Sequence, residues 1–169
     1  RPDVRLIFTG RGELETEVRR ITRGLERVAF LGFAPFDDWA ATLARCDIGW
    51  NAVKPETLVL MPNKIFYYWA SGLAVLNTIP GECADWVRRT GTGLSYRAGD
   101  VEAATAALLE LVSDRACLAR QRQTARREAV ERWDRRRLYQ TYLDLVSELC
   151  HAARQAENEE VSLTDPDGR

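Results

Sequence analysis

Leu73-Ala74-Val75-Leu76 is an unbroken apolar run, without the alternation of a strand that has one wet face, and it closes at Asn77-Thr78. Only a strand covered on both faces needs such a run, which points to a parallel sheet sandwiched between helices. Just upstream, Pro62 suits the first turn of a helix, which has no use for its missing N–H, and Gly72 suits a left-handed helix end. Together they bracket a short helix, Pro62 to Ser71, feeding the buried strand. Its start can bring backbone N–H groups and a positive dipole end to the sheet edge, where an anion can sit.

The same unit recurs along the chain. Val4 to Phe8 is a β-prone run ending in Thr9-Gly10-Arg11-Gly12, after which Leu14, Val18 and Ile21 follow at helical spacing and Gly24 closes the helix. Val28 to Leu31 predicts a second strand, Phe36 to Ala44 a helix, Asp47 to Trp50 a third strand and Asn51 to Leu60 a loop. The helix Pro62 to Ser71 and the strand Leu73 to Asn77 follow. Gly81 to Arg89 predicts another helix and Gly93 to Tyr96 a short fifth strand. Asp100 and Asp114 are N-cap candidates for two further helices. Leu138, Tyr142, Leu145 and Leu149 form one apolar stripe on a last helix. From Glu157 the chain is acidic and then rich in Ser, Asp, Pro and Gly. Residues 156–169 therefore read as a disordered polar tail behind a folded body of residues 1–155. Strands alternating with helices give the fold class, α/β with a doubly wound, Rossmann-like parallel sheet of about five strands and extra C-terminal helices.

Composition excludes several classes of function. With 24 basic and 25 acidic side chains, the net charge of -1 offers no general electrostatic case for nucleic acid. The Arg-rich stretch from 120 to 137 is interrupted by Glu128, Glu131 and Asp134. It fits a solvated helix face or a contact with an anionic membrane surface. Cys46, Cys83, Cys117 and Cys150 lie more than 30 residues apart, with no zinc-type spacing to the single His151, and read as reduced thiols. No apolar run approaches the roughly 18 residues of a membrane span. The chain opens at Arg1 without an initiator Met and reads as a fragment.

Ligands of open α/β sheets bind beyond the carboxyl ends of the strands, so the loops Gly10–Glu13, Gly32–Phe36, Asn51–Lys64, Thr78–Glu82 and Arg97–Asp100 should share one rim. Gly10-Arg11-Gly12 serves either as a tight turn or as a close backbone approach to a ligand with Arg11 on a phosphate. It lacks the third glycine of a dinucleotide fingerprint. Lys64 opposes the dipole of its own helix, which a bound anion would explain; Asn63 fits a local cap or a ligand donor. Tyr67, Tyr68 and Trp69 are consecutive, so at least one must leave the core, for packing against a neighbour or for stacking on a ligand. Asp165 and Asp167 resemble a metal pair only by chance, separated as they are by Pro166, and no metal site is expected.

Taken together, Leu6 to Gly12, Val28 to Gly32, Cys46 to Gly49, Met61 to Phe66 running on to Val75, Gly91 to Leu94 with Ala98-Gly99-Asp100, and Glu131-Arg132-Trp133 resemble the C-terminal, donor-binding domain of glycosyltransferase family 4 enzymes. These enzymes have the GT-B fold, and the Pro-Asn-Lys variant is similar to the branch acting on bacterial surface polysaccharide. The resemblance implies a retaining, metal-independent transfer of sugar from a nucleotide-diphosphate donor to a lipid-linked or glycan acceptor, in the cytoplasm or at the inner face of its membrane. It implies that Gly32 and Phe33 border the base, Gly10 and Gly12 line the cleft, and Met61, Pro62, Asn63 and Lys64 meet the diphosphate. The family's paired glutamates fall at Val59 and Tyr67, the second being the ribose-holding position, with Glu56 out of register. The family's first strand-helix unit and its acceptor-binding N-terminal domain lie outside this sequence, so no turnover is expected of these 169 residues alone. A non-catalytic nucleotide-sugar-binding or protein-interaction module of the same descent is the competing expectation.

Overall fold

The computed structural model describes residues 4–164. Strands and helices alternate as β1 (Leu6–Thr9), α1 (Glu15–Ile21), β2 (Val28–Gly32), α2 (Phe36–Leu43), β3 (Ile48–Asn51), α3 (Asn63–Ala70), β4 (Ala74–Asn77), α4 (Glu82–Thr90) and β5 (Gly93–Ser95). Helices α5 (Val101–Ser113), α6 (Arg115–Arg132) and α7 (Arg135–Thr164) follow. The chain divides into two compact units, residues 1–126 and residues 127–169.

In the first unit every strand pairing is parallel, as the apolar runs require. β1 pairs with β2 in the register Leu6↔Val28 to Phe8↔Phe30, with a shift before Thr9↔Gly32. β3, β4 and β5 pair in that order, with Ile48↔Ala74, Asn51↔Asn77 and Leu76↔Leu94 among the partners. The expected five strands are present, but as a two-stranded sheet and a three-stranded sheet. A cavity of about 430 Å³ is lined among others by Val4 just ahead of β1, Trp50 of β3, Tyr96, and Ala104 and Leu108 of α5.

The core belongs to the three-stranded half. Leu73 and the β4 residues Ala74, Val75 and Leu76 are fully buried. Ile65 and Trp69 of α3, Cys83 and Val87 of α4, Leu111 and Val112 of α5, and Leu118 and Ala125 of α6 are buried with them. Each large apolar side chain of this kind contributes about 1.5–3 kcal/mol. Two close approaches need glycine. A Cβ on Gly49 would sit 2.3 Å from the Tyr68 ring, and one on Gly93 would sit 1.9 Å from the Val75 carbonyl oxygen. By contrast β1 and β2 have no fully buried position, and α1 has none either.

Local signals in the sequence hold at the caps. The Asp100 carboxylate accepts from the Ala103 N–H at 2.8 Å and the Asp114 carboxylate from the Cys117 N–H at 2.9 Å. Gly72 has φ 67°, the left-handed end expected for the short helix. Two of the arginines in the basic stretch make hydrogen bonds back to the fold. Arg122 donates from Nε to the Gly72 carbonyl at 3.0 Å and from Nη1 to Asp47 at 2.6 Å, and Arg126 donates to the Ala70 carbonyl. Both cations meet the negative end of α3, where the dipole favours them.

Cys83 is fully buried. Burial, followed by the nearby Glu82 carboxylate, pushes its thiol from 9.0 to about 11. Its Sγ donates to Asn77 Oδ1 at 3.5 Å, which the neutral thiol alone can do. The folded state therefore holds this proton more tightly than the unfolded chain. Stability from this group is complete below pH 9.0 and falls as pH rises toward about 11. Titration with a thiol reagent at pH 7.5 should leave Cys83 unmodified until denaturant is added; rapid labelling in the native protein would contradict its burial.

In the second unit, Asp134 starts α7 by accepting from the Arg136 N–H at 2.8 Å. Glu128 and Arg132 form an ion pair at 3.3 Å on the end of α6. α7 continues to Thr164, so the polar tail expected from residue 156 is helical over its first part. Glu, Ala and Leu favour a helix there, and no helix breaker occurs before Pro166. Residues 165–169, which include the Asp165 and Asp167 pair, lie outside the described residues. No described helix is long and apolar enough to cross a membrane.

Candidate functional site

The first two strand exits meet. The Gly10 N–H donates to the Gly32 carbonyl at 2.7 Å, and the two glycines have φ 125° and 69°, conformations that disfavour side chains. Gly12 is different, because its φ is not positive and a Cβ there would meet nothing within 4 Å. The space over these turns is open. The Arg11 guanidinium lies over the Phe33 ring, 5.4 Å from its centre, a cation–π contact at the surface. Five of the candidate residues, Gly10, Arg11, Gly12, Gly32 and Phe33, therefore occupy one edge of the rim, and Phe33 is 64% exposed there.

The second group is the start of α3. Pro62 is its N-cap, with φ -79° and ψ 144°, so the helix begins at Asn63, one residue later than Pro at the first helical position would give. The expectation of Pro62 inside the helix is corrected. Its fixed φ still directs the entry, and the Ile65 N–H closes the first turn on the Pro62 carbonyl at 3.1 Å. No side chain caps this end, so Asn63 is not a local cap, and the first turn holds no acid. Met61, Pro62 and Lys64 are half-buried and Asn63 is exposed. The helix thus presents a positive end reinforced by the Lys64 ammonium, an arrangement that stabilises an anion better than it stabilises the helix.

The three consecutive aromatic residues separate as helical geometry demands. Trp69 enters the core. Tyr68 lies against Gly49 and donates from its hydroxyl to the Trp50 carbonyl at 3.3 Å, and burial, then Cys46, holds its phenol above the usual range. Tyr67 turns toward α2, with its ring edge-on to Trp39 at 5.0 Å and to Phe36 at 6.0 Å. It stands one turn beyond Lys64 on the same side of α3. The cluster of Phe36, Trp39 and Tyr67 links α3 to the helix that follows the Gly32–Phe33 exit, bridging the two groups of candidate residues. The carboxylate that the family resemblance calls for at this position is replaced by a packed phenol. Glu56 and Val59 are exposed on the loop between β3 and α3.

Sequence reasoning passed over a buried polar cluster under the same rim. Asn51 and Asn77 end β3 and β4 in register, and both are fully buried. Asn51 Nδ2 donates to Asn77 Oδ1 at 2.8 Å, and Asn77 Nδ2 donates to the Ile79 carbonyl at 2.8 Å and to Ser95 Oγ at 3.2 Å. An available signal was that two short apolar strands, Ile48-Gly49-Trp50-Asn51 and Ala74-Val75-Leu76-Asn77, both end in the same amide. Among the described residues no group of three or more His, Cys, Asp or Glu is placed to hold a metal ion.

A family model for the glycosyl transferases group 1 matches residues 1–114, more than half of the chain. The chain belongs to the glycosyl transferases group 1 family. No curated protein matches it. Among solved structures, HepE from Anabaena in complex with UDP-glucose is similar at 25% identity and a TM-score of 0.72, over 88% of this chain and 42% of that one. HepE in complex with UDP is similar at 21% identity and a TM-score of 0.74, over the same shares of 88% and 42%. WaaG, a glycosyltransferase involved in lipopolysaccharide biosynthesis, is similar at 16% identity and a TM-score of 0.62, over 76% of this chain and 34% of that one. The fold of this group 1 chain is the Rossmann-like α/β fold of the GT-B glycosyltransferases, and the chain spans less than half the length of these structures.

Proposed function

We propose that this chain is the donor-binding half of a family 4-type glycosyltransferase that moves a sugar from a nucleotide diphosphate to a lipid-linked or polysaccharide acceptor. The observation that carries this reading is the start of α3, where no side chain caps the helix, the first turn has no acid and Lys64 adds a charge. A diphosphate supplies what that end lacks. When the bond from sugar to phosphate breaks, negative charge grows on the leaving diphosphate. Donors fixed in place before the reaction stabilise it without having to reorganise. Lys64 and the α3 backbone take that role, with Arg11 at the opposite edge beside Phe33. The open space over Gly10 and Gly32 takes the nucleoside. The reading includes retention of configuration, metal independence, a cytoplasmic location with contact at the inner membrane face, and an acceptor held by a separate N-terminal domain.

Tyr67 favours a second reading, a module that binds nucleotide sugar without transferring it. A phenol packed on Trp39 offers a single polar atom, whereas a carboxylate accepts from both ribose hydroxyls. Titration of the full chain with UDP, followed by tryptophan fluorescence, should give saturable binding under either reading. Transfer from a nucleotide sugar, assayed with the chain joined to an acceptor-binding domain, separates the two. Absence of saturable UDP binding would reject both.

A further inference from the structure

Asn51 is fully buried, yet its Oδ1 has no hydrogen-bond partner among the described residues. Its orientation is nevertheless fixed, because Asn77 Oδ1 must face the Ile79 N–H at 3.1 Å and so requires the donor end of Asn51. A buried amide with one unsatisfied atom costs stability, and a well-packed apolar residue would avoid the cost. The cluster adds side-chain hydrogen bonds to a ladder that already pairs Asn51 with Asn77 and Asn77 with Ser95, and it reaches past that ladder to Ile79 and Val53. Asn77 reaches forward to Ile79 and across to Ser95 of β5. Thr78 Oγ1 donates to the Asn51 carbonyl at 3.1 Å and accepts from the Val53 N–H at 2.9 Å. The three carboxyl ends of β3, β4 and β5 are thereby tied together, including the first residues of the loop that leads into α3.

We infer that Asn51 and Asn77 are positioning residues, an amide pair that sets the loop of residues 52–62, and with it the anion-binding end of α3, relative to the neighbouring strand exits. The inference rests on the donor-site reading above and adds to it the device that holds the site in shape. The pair never touches the donor, since both side chains are fully buried.

The test replaces Asn51 in the full chain with Val, which suits a buried strand and leaves Asn77 with its Ile79 partners, and with Ser, whose hydroxyl can still donate toward Asn77. Three quantities are measured for each: the thermal midpoint, amide hydrogen exchange across residues 52–62, and the Kd for UDP. Asn51→Val should keep or raise the thermal midpoint, speed exchange in 52–62 at least fivefold and weaken UDP about tenfold, while Asn51→Ser recovers part of both changes. A purely structural role would move binding and midpoint down together. Unchanged exchange in 52–62 would overturn the inference whether or not UDP binds. Loss of UDP binding by the unmodified chain would instead count against the donor-site reading, and exchange would still decide this one.

Discussion

Gly93→Ala should cost about 4 kcal/mol of stability, at the upper end of single substitutions. The added Cβ would lie 1.9 Å from the Val75 carbonyl oxygen and 2.6 Å from its nitrogen. Neither atom can retreat easily. Val75 is fully buried in the central strand, and its N–H donates to the Thr92 carbonyl at 2.9 Å. Relief requires β5 to leave β4, which gives up the pairing of Leu76 with Leu94 and Asn77 with Ser95. Against a total stability of about 5–15 kcal/mol for a domain, that loss brings the three-stranded half close to unfolding. Urea denaturation followed by tryptophan fluorescence reads the effect as a large fall in midpoint. Gly12→Ala is the control, because its φ is not positive and its Cβ would meet nothing within 4 Å, so its unfolding free energy should change by less than about 0.5 kcal/mol. A Gly93→Ala midpoint as close to the parent's would show that the strands can separate without cost.

What the sequence made legible was whatever is decided within a few residues. Apolar runs gave all five strands, and Asp100, Asp114 and Gly72 marked helix ends that the structure keeps. The uncapped, acid-free start of α3 was also readable, because Pro62 and Lys64 act through the helix on which they lie. Features decided by distant partners were not readable. The division into a two-stranded and a three-stranded sheet depends on which edges meet, and short runs carry no record of that. Arg122 and Arg126 read as part of a charged face because their acceptors, the carbonyls of Gly72 and Ala70, are backbone groups some fifty residues away. Tyr67 gave three directions to choose from, and only the approach of α2 selects the one toward Trp39. The Asn51 and Asn77 pair needs the β3–β4 register before the two amides can be seen to face each other.

Lys64→Ala should separate binding from stability. In the free protein Lys64 stands in the first turn of α3 with no acid beside it, so its charge opposes the dipole. Removing it should leave the unfolding free energy from urea titration unchanged or raise it by about 0.3–0.5 kcal/mol. With UDP present the balance reverses, because a hydrogen bond between an ammonium and a phosphate oxygen is worth about 1.5–3 kcal/mol. The Kd for UDP should therefore rise by about 10- to 150-fold. Lys64→Arg should restore part of the affinity, since the charge returns on a group with a different donor geometry. Affinity for uridine, which has no phosphate, should be the same in parent and Lys64→Ala, so that the difference reports the diphosphate alone. The parent's binding should also weaken more steeply with added salt than the variant's, as expected for one fewer charge facing the anion. Equal UDP affinity in parent and variant at low salt would place the diphosphate away from α3, and the rim would then have to bind it through Arg11 and the Gly10–Gly12 turn.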